Sequence, residues 1–376
     1  MKKLFLLFFV ATFACYSVEA KNPKSEKINN IIYMIGDGMG LSHVSMLQLE
    51  NKYAPTAFDR AQNVALIKTH SLNNRVTDSA AAGTALATGY KTNNSTVGQL
   101  PDGTPVESIT TKAKRNNFAT GIVVSCYVQH ATPATFFAHR KSRGDNEGIC
   151  EDFTKEDIDV VFGGGMRYFK QYFEKQNKDY NKEFKALGYS LHTDLSKLND
   201  IPAEGKVLGL FADGDLPSAK SGKRGEYLAD ATQKALDILT NNVKKNKNKG
   251  FVLMVEGSKI DGESHSRSPE GILAETRDFA NAINVAMDYA DTHPGTLVVV
   301  AADHETGGLS IPSNKTDFTL AESGIGYAFG TSSHTATMVP VYLYGTGANL
   351  IEGIMENNEL GQKVQEILGL AEQKKK

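Results

Sequence analysis

The sequence predicts an α/β fold, a three-layer sandwich in which a mostly parallel central sheet lies between two layers of helices. Short apolar runs rich in β-branched residues recur along the chain and do not alternate with polar residues, as in strands buried on both faces. Helical patterns separate many of these runs. This alternation of strand and helix is typical of a parallel sheet with helices on both faces.

The predicted elements follow one another in this way along the chain. The predicted strands are Ile31–Ile35, Val64–Thr69, Thr120–Cys126, Val207–Phe211, Phe251–Val255, Leu297–Ala301 and Val339–Tyr344. Helices are predicted at Ser108–Asn116, Tyr227–Asn242, Glu270–Asp291 and Glu359–Leu370. The second of these helices carries apolar residues along one side, as expected where a helix packs on a sheet.

The alanine-rich stretch Thr77–Gly89 predicts one further helix. Thr77 and Asp78 are residues that cap helix N-termini, and Gly89 is a residue that ends helices. Ser79 then lies in the first turn, where free backbone N–H groups and the helix dipole favour an anion such as phosphate. A serine at such a position is more often an ordinary cap than a nucleophile, so that residues elsewhere in the chain are needed to distinguish the two roles.

The composition is that of an ordinary globular protein. The chain has 376 residues, of which 40% are hydrophobic and 22% are charged, and its net charge is -2. These values leave ample material for a core and give no indication of nucleic-acid binding. Because no linker separates two parts of the chain, we expect a single domain over residues 21–376, with surface insertions near residues 145–190 and 311–331.

The first twenty residues have the layout of a secretory signal peptide. Lys2 and Lys3 precede the apolar run Leu4–Ala14, which is too short to span a bilayer comfortably, and small residues precede a cleavage site after Ala20. Cys15 offers a second, less favoured interpretation, because the residues before it loosely resemble a bacterial lipoprotein box. Export to the periplasm or the outside of the cell is therefore expected.

Two cysteines remain after such cleavage, Cys126 and Cys150. An exported protein can keep a disulfide, so that the two residues could pair. Two buried free thiols are the alternative, and the sequence leaves both open.

Chemically active side chains follow five of the predicted strands. In open α/β sheets, ligands bind outside the carboxyl ends of the strands, so these side chains are expected at one edge of one sheet. If these side chains had no function, each of them would be an ordinary exposed loop residue. That explanation is easy to accept for one strand end but unconvincing for five. The side chains are Asp37, Asp78, Ser79, His130, Thr132, Glu256, Asp261, His265, Asp303 and His304.

A metal centre accounts for several of these residues. Asp261 and His265 are four positions apart, so that one helical turn places both on one side. Nitrogen and carboxylate ligands suit zinc, whereas oxygen ligands suit magnesium. Nothing in the local sequence marks His334 as a ligand.

Arg143 could hold phosphate oxygens in a fork of two hydrogen bonds, but Arg140 competes with it for that role.

Six sequence blocks carry a family resemblance. They are Ile35–Gly40, Val76–Gly89, His130–Pro133, Val255–Asp261, Ala302–Gly308 and His334–Thr335. In this order they resemble the alkaline phosphatase family in a short bacterial form, and they span nearly the whole chain after residue 20. The resemblance implies an exported, homodimeric phosphomonoesterase that acts on small phosphate monoesters and is inhibited by the inorganic phosphate it releases.

The resemblance also implies roles for the matching residues. Ser79 would be the nucleophile that forms a phosphoseryl intermediate, and Arg143, oriented by Asp78, would hold the phosphate oxygens. His130 would lie near the magnesium site, at a position where some relatives carry aspartate. The implied ligands are Asp261, His265 and His334 for one zinc ion, Asp37, Asp303 and His304 for a second zinc ion, and Asp37, Thr132 and Glu256 for a magnesium ion.

Two other functions remain as alternatives at this stage. A phosphodiesterase or sulfatase of the same superfamily is one, although Ser79 is followed by Ala80, Ala81 and Ala82 and so lacks the C/S-x-P-x-R context of a sulfatase nucleophile. A non-catalytic phosphate- or metal-binding protein is the other, and it is disfavoured because every expected ligand is present.

Overall fold

The computed structural model describes residues 27–313 and 325–370. The predicted signal segment, Cys15 and residues 314–324 of the predicted excursion before His334 lie outside the described residues. Among the helices that are described, none is both long enough and apolar enough to cross a membrane.

The described part of the chain contains fourteen strands and eleven α-helices. The strands are β1 (Asn30–Gly36), β2 (Asn63–Lys68), β3 (Ala119–Tyr127), β4 (Val160–Gly164), β5 (Ser190–His192), β6 (Val207–Leu210), β7 (Phe251–Gly257), β8 (Thr296–Ala302), β9 (Glu305–Thr306), β10 (Leu309–Ser310), β11 (Ala328–Phe329), β12 (His334–Thr335), β13 (Val339–Gly345) and β14 (Gly353–Glu356). The helices are α1 (Leu41–Glu50), α2 (Ser79–Thr88), α3 (Ile109–Arg115), α4 (Ala131–Ala134), α5 (Asn146–Phe153), α6 (Met166–Glu174), α7 (Tyr180–Ala186), α8 (Tyr227–Asn246), α9 (Ile260–His265), α10 (Pro269–Thr292) and α11 (Asn357–Ile367).

Ten of these strands form one sheet in the order β14-β2-β13-β8-β1-β7-β3-β4-β6-β5. All neighbouring pairs are parallel except those of β13, which runs antiparallel to both β2 and β8. Every residue of β7 and β8 is buried, which explains why these strands read as unbroken apolar runs. The predicted fold class, a mostly parallel sheet with helices around it, is confirmed.

Strand register brings the polar strand ends together. Gly36 at the end of β1 pairs with Gly257 in β7 and with Ala302 in β8. Asp37 and Asp303 therefore leave neighbouring parallel strands at the same level. Glu256 lies one position before Gly257 and is therefore near the same edge of the sheet.

The helices form two contact groups. Helices α8 and α10 pack against each other and against the central strands β3 and β7. Helix α2 packs against α3 and α11, and these in turn contact β3, β7, β2 and β14. All five predicted helices are present, with ends that differ from the prediction by a few residues at most.

The segment of residues 145–190 differs from the expectation of an insertion that covers the sheet. It contains three helices and also strand β4, which lies inside the sheet between β3 and β6. All five residues of β4 are buried. Its apolar part is only three residues long before Gly163, and so short a run does not stand out in the sequence.

Helix α11 approaches α2 closely at Gly361. A Cβ atom at this position would lie 2.4 Å from the carbonyl oxygen of Ala85 and 2.7 Å from that of Leu86. All ten residues of α2 are buried. The helix that begins at Ser79 is therefore held from behind by a backbone contact that only glycine allows.

We predict that Gly361→Val lowers the free energy of unfolding by about 1–3 kcal/mol, because the new side chain must push α11 away from the α2 backbone. Lys363→Val on the exposed side of α11 is the matched control and should change stability by less than about 0.5 kcal/mol. Urea unfolding of both variants measures the difference. Equal stabilities would contradict the proposed constraint.

Candidate active site

Ser79 is the first residue of α2, as predicted. The carboxylate of Asp78 caps the helix by accepting a hydrogen bond from the Ala81 N–H group at 3.0 Å, and Gly89 ends the helix in the left-handed region at φ 81°. Ser79 is buried, and its Oγ atom lies 3.2 Å from Nε2 of His304. The hydroxyl therefore faces the residues that follow β8.

Asp37, Asp303 and His304 form the first cluster of possible metal ligands. One ligand atom from each lies within 4.8 Å of the others. Nε2 of His304 is 3.4 Å from Asp37 Oδ1 and 3.2 Å from Asp303 Oδ2, and all three side chains are fully buried. Neither carboxylate oxygen accepts a hydrogen bond from any described residue. Buried carboxylate oxygens without partners fit a bound cation.

The electrostatics of this cluster support the same interpretation. Burial and the neighbouring Asp303 raise the pKa of Asp37 well above its usual value. Burial also raises the pKa of Asp303 to about 7. Two carboxyl groups this close and this deeply buried are costly to ionise together unless a positive charge lies between them.

Asp261, His265 and His334 lie together in the second cluster. Asp261 Oδ2 is 3.2 Å from His265 Nε2, and its Oδ1 is 3.5 Å from His334 Nε2. The two histidine Nε2 atoms are 3.2 Å apart. Their Nδ1 atoms point outward to backbone carbonyl oxygens, from His265 to Ser332 at 2.7 Å and from His334 to Thr77 at 2.9 Å. With a proton on each Nδ1 atom, both Nε2 lone pairs point to the same place as Asp261.

Thr306 joins the two clusters, although the sequence did not single it out. Its hydroxyl donates a hydrogen bond to Asp261 Oδ1 at 2.5 Å and lies 3.1 Å from Nδ1 of His304. Because its proton is directed to Asp261, the Thr306 oxygen accepts from the Nδ1–H group of His304. The Nε2 lone pair of His304 then points at Asp37 and Asp303. All three histidines thus present the same nitrogen to the two clusters.

His334 reaches the site through a short hairpin. Strand β12 pairs antiparallel with β9, so that His334 faces Thr306 in register. Glu305 stabilises this hairpin by accepting hydrogen bonds from the N–H groups of Gly308 and Leu309 and from the Thr335 hydroxyl. A strand of two residues is too short to produce a recognisable sequence pattern. The local sequence therefore does not mark His334 as a candidate ligand.

Glu256 and Thr132 lie beside Asp37. The Thr132 hydroxyl is 3.4 Å from Asp37 Oδ2. Glu256 is fully buried, its Oε2 atom accepts a hydrogen bond from the Ser258 hydroxyl at 2.7 Å, and its Oε1 atom has no hydrogen-bond partner among the described residues. Burial raises the pKa of Glu256 to about 8. Together these side chains offer oxygen ligands for one more cation.

Arg143 and Asp78 lie at the mouth of the site. Nη1 of Arg143 is 3.2 Å from Asp78 Oδ2, and Nη2 is 3.3 Å from Nε2 of His130. Arg140 is engaged elsewhere, because its Nη2 atom is paired with Glu151 at 3.0 Å and with Asp152 at 2.6 Å. Of the two arginines, the geometry leaves Arg143 beside Ser79 and its cap.

Cys126 and Cys150 are both buried free thiols. Of the two alternatives that the sequence left open, the structure therefore shows the unpaired one. Burial raises the pKa of the Cys150 thiol to about 12.

Comparison with known proteins identifies the family. The alkaline phosphatase family model matches residues 28–323. Over 311 residues the chain is 39% identical to alkaline phosphatase 4 of Bacillus subtilis (strain 168), a match that covers 78% of this chain and 65% of that protein. The chain thus spans slightly less than two thirds of that relative. The chain belongs to the alkaline phosphatase family, as the sequence blocks predicted.

Solved structures agree with this assignment. The alkaline phosphatase from the Antarctic bacterium TAB5 superimposes with a TM-score of 0.85 at 37% identity, over 92% of this chain and 100% of that chain. A variant of the TAB5 enzyme in which aspartate replaces a histidine, with magnesium bound in the site named M3, gives a TM-score of 0.84 at 35% identity over 93% and 100% of the two chains.

In the metal-free protein, we predict that raising the pH from 7 to 9 lowers the free energy of unfolding. At pH 7 folded Glu256 keeps its proton, since its pKa is about 8, whereas the unfolded chain has lost it. The folded state then binds more protons, so stability falls as the pH rises through 8, by about 1–2 kcal/mol for one such group. His265 adds to this loss, because its hydrogen bond to Asp261 raises its pKa to about 9.

Urea unfolding in a chelator at the two pH values measures this effect. Metal-loaded protein is the control and should lose less stability, because bound cations keep the carboxylates ionised at both pH values. Metal-free protein that is equally or more stable at pH 9 would contradict the prediction.

Proposed function

We propose that this protein is a metal-dependent phosphomonoesterase that hydrolyses small phosphate monoesters through a phosphoseryl intermediate on Ser79. One observation carries the proposal. The Ser79 hydroxyl lies at the N-terminus of a buried helix and 3.2 Å from His304, next to carboxylate oxygens of Asp37 and Asp303 that have no partner among the described residues. An anion site and a cation site therefore meet at one nucleophilic oxygen.

Three metal positions are proposed from the donor sets. Zinc would be held by Asp261, His265 and His334 and by Asp37, Asp303 and His304, while magnesium would be held by Asp37, Thr132 and Glu256. The mixed nitrogen and carboxylate sets suit zinc, and the oxygen set suits magnesium. When bound, divalent ions here supply a lowered pKa for the serine hydroxyl and stabilise the attacking and leaving oxygens of an in-line displacement.

Groups of the protein itself would position the substrate phosphate and the nucleophile. Free N–H groups in the first turn of α2 and the guanidinium of Arg143 would bind the phosphate oxygens. Asp78 caps α2 with Oδ1 and contacts Arg143 with Oδ2, so that one carboxylate fixes both the nucleophile and the arginine. Ser79 would lose its proton and attack phosphorus, and the P–O bond to the substrate alcohol would break so that the alcohol leaves. Water would later cleave the phosphoserine, which restores the Ser79 hydroxyl and releases inorganic phosphate.

Localisation, oligomeric state and inhibition are proposed from the family resemblance and from the first twenty residues. The signal-like segment supports export to the periplasm or the cell exterior. A homodimer and inhibition by inorganic phosphate are proposed on the strength of the resemblance. With three divalent cations bound, the charge of the ions would exceed that of Asp37, Glu256, Asp261 and Asp303. Such an excess suits a phosphate-monoester dianion better than a singly charged diester, and it also favours inhibition by inorganic phosphate.

We predict that Ser79→Ala lowers monoester turnover by more than about 10³-fold, because the covalent intermediate cannot form. Bound metal, measured by elemental analysis, should stay unchanged. Ser221→Ala, at the end of an exposed 3-10 helix, is the control and should keep full activity. Unchanged turnover in the Ser79 variant would exclude the mechanism, and equal turnover of a bis-ester would indicate a phosphodiesterase.

We predict that Arg143→Ala lowers kcat/KM for a monoester by about 10- to 200-fold, which corresponds to the loss of a charge-assisted pair of roughly 1.5–3 kcal/mol. Arg143→Lys should recover only part of this loss, because lysine lacks the planar fork. Arg140→Ala is the matched control and should stay within a few-fold of the parent, since its partners are Glu151 and Asp152. If Arg140→Ala lowered kcat/KM more than Arg143→Ala did, Arg140 and not Arg143 would be the arginine that binds phosphate.

A further inference from the structure

The segment between β2 and α2 positions three groups of the proposed active site. The carbonyl oxygen of Thr77 lies 2.9 Å from Nδ1 of His334, Asp78 caps α2, and Ser79 is the next residue. Residues 69–78 nevertheless belong to neither a strand nor a helix. Contacts other than sheet hydrogen bonds therefore hold this segment in place.

The side-chain amide of Asn94 supplies two such contacts. Its Oδ1 atom accepts a hydrogen bond from the Asp78 N–H group at 3.2 Å, and its Nδ2 atom donates one to the carbonyl oxygen of Val76 at 3.0 Å. The two bonds bracket Thr77. In a pair of parallel strands, the backbone of one residue brackets its partner in the same way, so that the amide of Asn94 takes the place of a strand backbone.

The backbone of Asn94 contacts the same segment. Its N–H group donates a hydrogen bond to Oδ1 of Asn73 at 2.9 Å. Side chain and backbone thus join residues 69–78 to the turn at Asn94 in both directions, which fixes the amide relative to Thr77.

Ser95, the next residue, contacts the phosphate-binding part of the site. Its N–H group donates a hydrogen bond to Asp78 Oδ2 at 3.0 Å, and its carbonyl oxygen accepts one from the N–H group of Arg143 at 2.7 Å. Ser95 adopts φ 75°, in the left-handed region that serine rarely occupies. Such a conformation persists only where the surrounding contacts fix it, and it is typical of functional sites.

We infer that Asn94 is a positioning residue of the active site, and that it acts through Thr77 and Asp78. This inference rests on the proposed function and refines it. A fixed Thr77 carbonyl group keeps the proton of His334 on Nδ1, so that Nε2 points to the proposed zinc position. A fixed Asp78 holds the N-terminus of α2 and the guanidinium of Arg143 in their relative positions.

Asn242 provides a matched control for the loss of such an amide. Its Oδ1 atom accepts a hydrogen bond from the Gly205 N–H group at 2.8 Å, and its Nδ2 atom donates one to the Gly205 carbonyl oxygen at 2.9 Å. Asn242 is buried in α8, and its amide contacts the loop before β6. Asn242→Ala therefore removes an equivalent pair of bonds away from the active site.

Zinc release tests the inference without any assay of activity. The zinc-loaded full chain is mixed with an excess of a chromophoric chelator. Asn94→Ala should release one zinc ion per chain at least about 10-fold faster than the wild type, because one histidine loses its fixed orientation. Asn242→Ala should release zinc as the wild type does. Wild-type release by Asn94→Ala, or equal acceleration in the two variants, would overturn the inference.

Asn94→Asp separates the two hydrogen bonds of the amide. It keeps the shape of the side chain and an acceptor for the Asp78 N–H group, but it places a carboxylate oxygen against the carbonyl oxygen of Val76. Zinc release should therefore be as fast as in Asn94→Ala. Release at the wild-type rate would overturn the inference, because the bond to Val76 would then be unnecessary.

Steady-state kinetics of the same proteins in excess zinc and magnesium supply a further measurement. Asn94→Ala should lower kcat/KM for a monoester by about 10- to 100-fold, whereas Asn242→Ala should stay within about two-fold of the wild type. Equal losses in the two variants would indicate general destabilisation and would overturn the inference. If Asn94→Ala matched the wild type while Ser79→Ala lost turnover, the inference would fail and the proposed function would stand.

Discussion

The structure depends on one electrostatic constraint, the burial of several carboxylates at one edge of the sheet. Asp37, Glu256 and Asp303 are fully buried at the ends of neighbouring parallel strands. Burial raises the pKa of each of them, because a charged carboxylate in the interior loses its hydration. A bound cation would make such a group of charges compatible with a stable fold.

Hydrogen bonds from surrounding residues orient the three histidine rings. Backbone carbonyl oxygens of Thr77 and Ser332 hold the Nδ1 atoms of two histidines, and the Thr306 hydroxyl holds that of His304. Each ring is thereby fixed in the tautomer that leaves Nε2 free for a metal. Asp78 likewise has two contacts at the N-terminus of α2, because it caps the helix with Oδ1 and accepts a hydrogen bond from Arg143 with Oδ2.

Much of the fold could be predicted from local patterns. The buried central strands have unbroken apolar runs, and α2 has a cap, a run of alanines and a terminal glycine, so their positions follow from periodicity and capping. Strand β4 was missed because its apolar part is too short, and β9 and β12 have only two residues each. Polar residues directly after buried strands were good candidates for the site because parallel strands end at one edge.

By itself, the sequence determined the positions of the long central strands, where α2 begins, and which side chains follow the strand ends, because all three depend on neighbouring residues. Contacts between residues far apart in the chain were decided only by the tertiary structure. His334 contacts the carbonyl group of Thr77 across 257 positions, and Cys126 meets Glu256 across 130 positions. The different partners of the two arginines, Asp78 for Arg143 and Glu151 and Asp152 for Arg140, likewise depend on which carboxylates lie nearby in space. No local pattern records such contacts, because strand order and register create them.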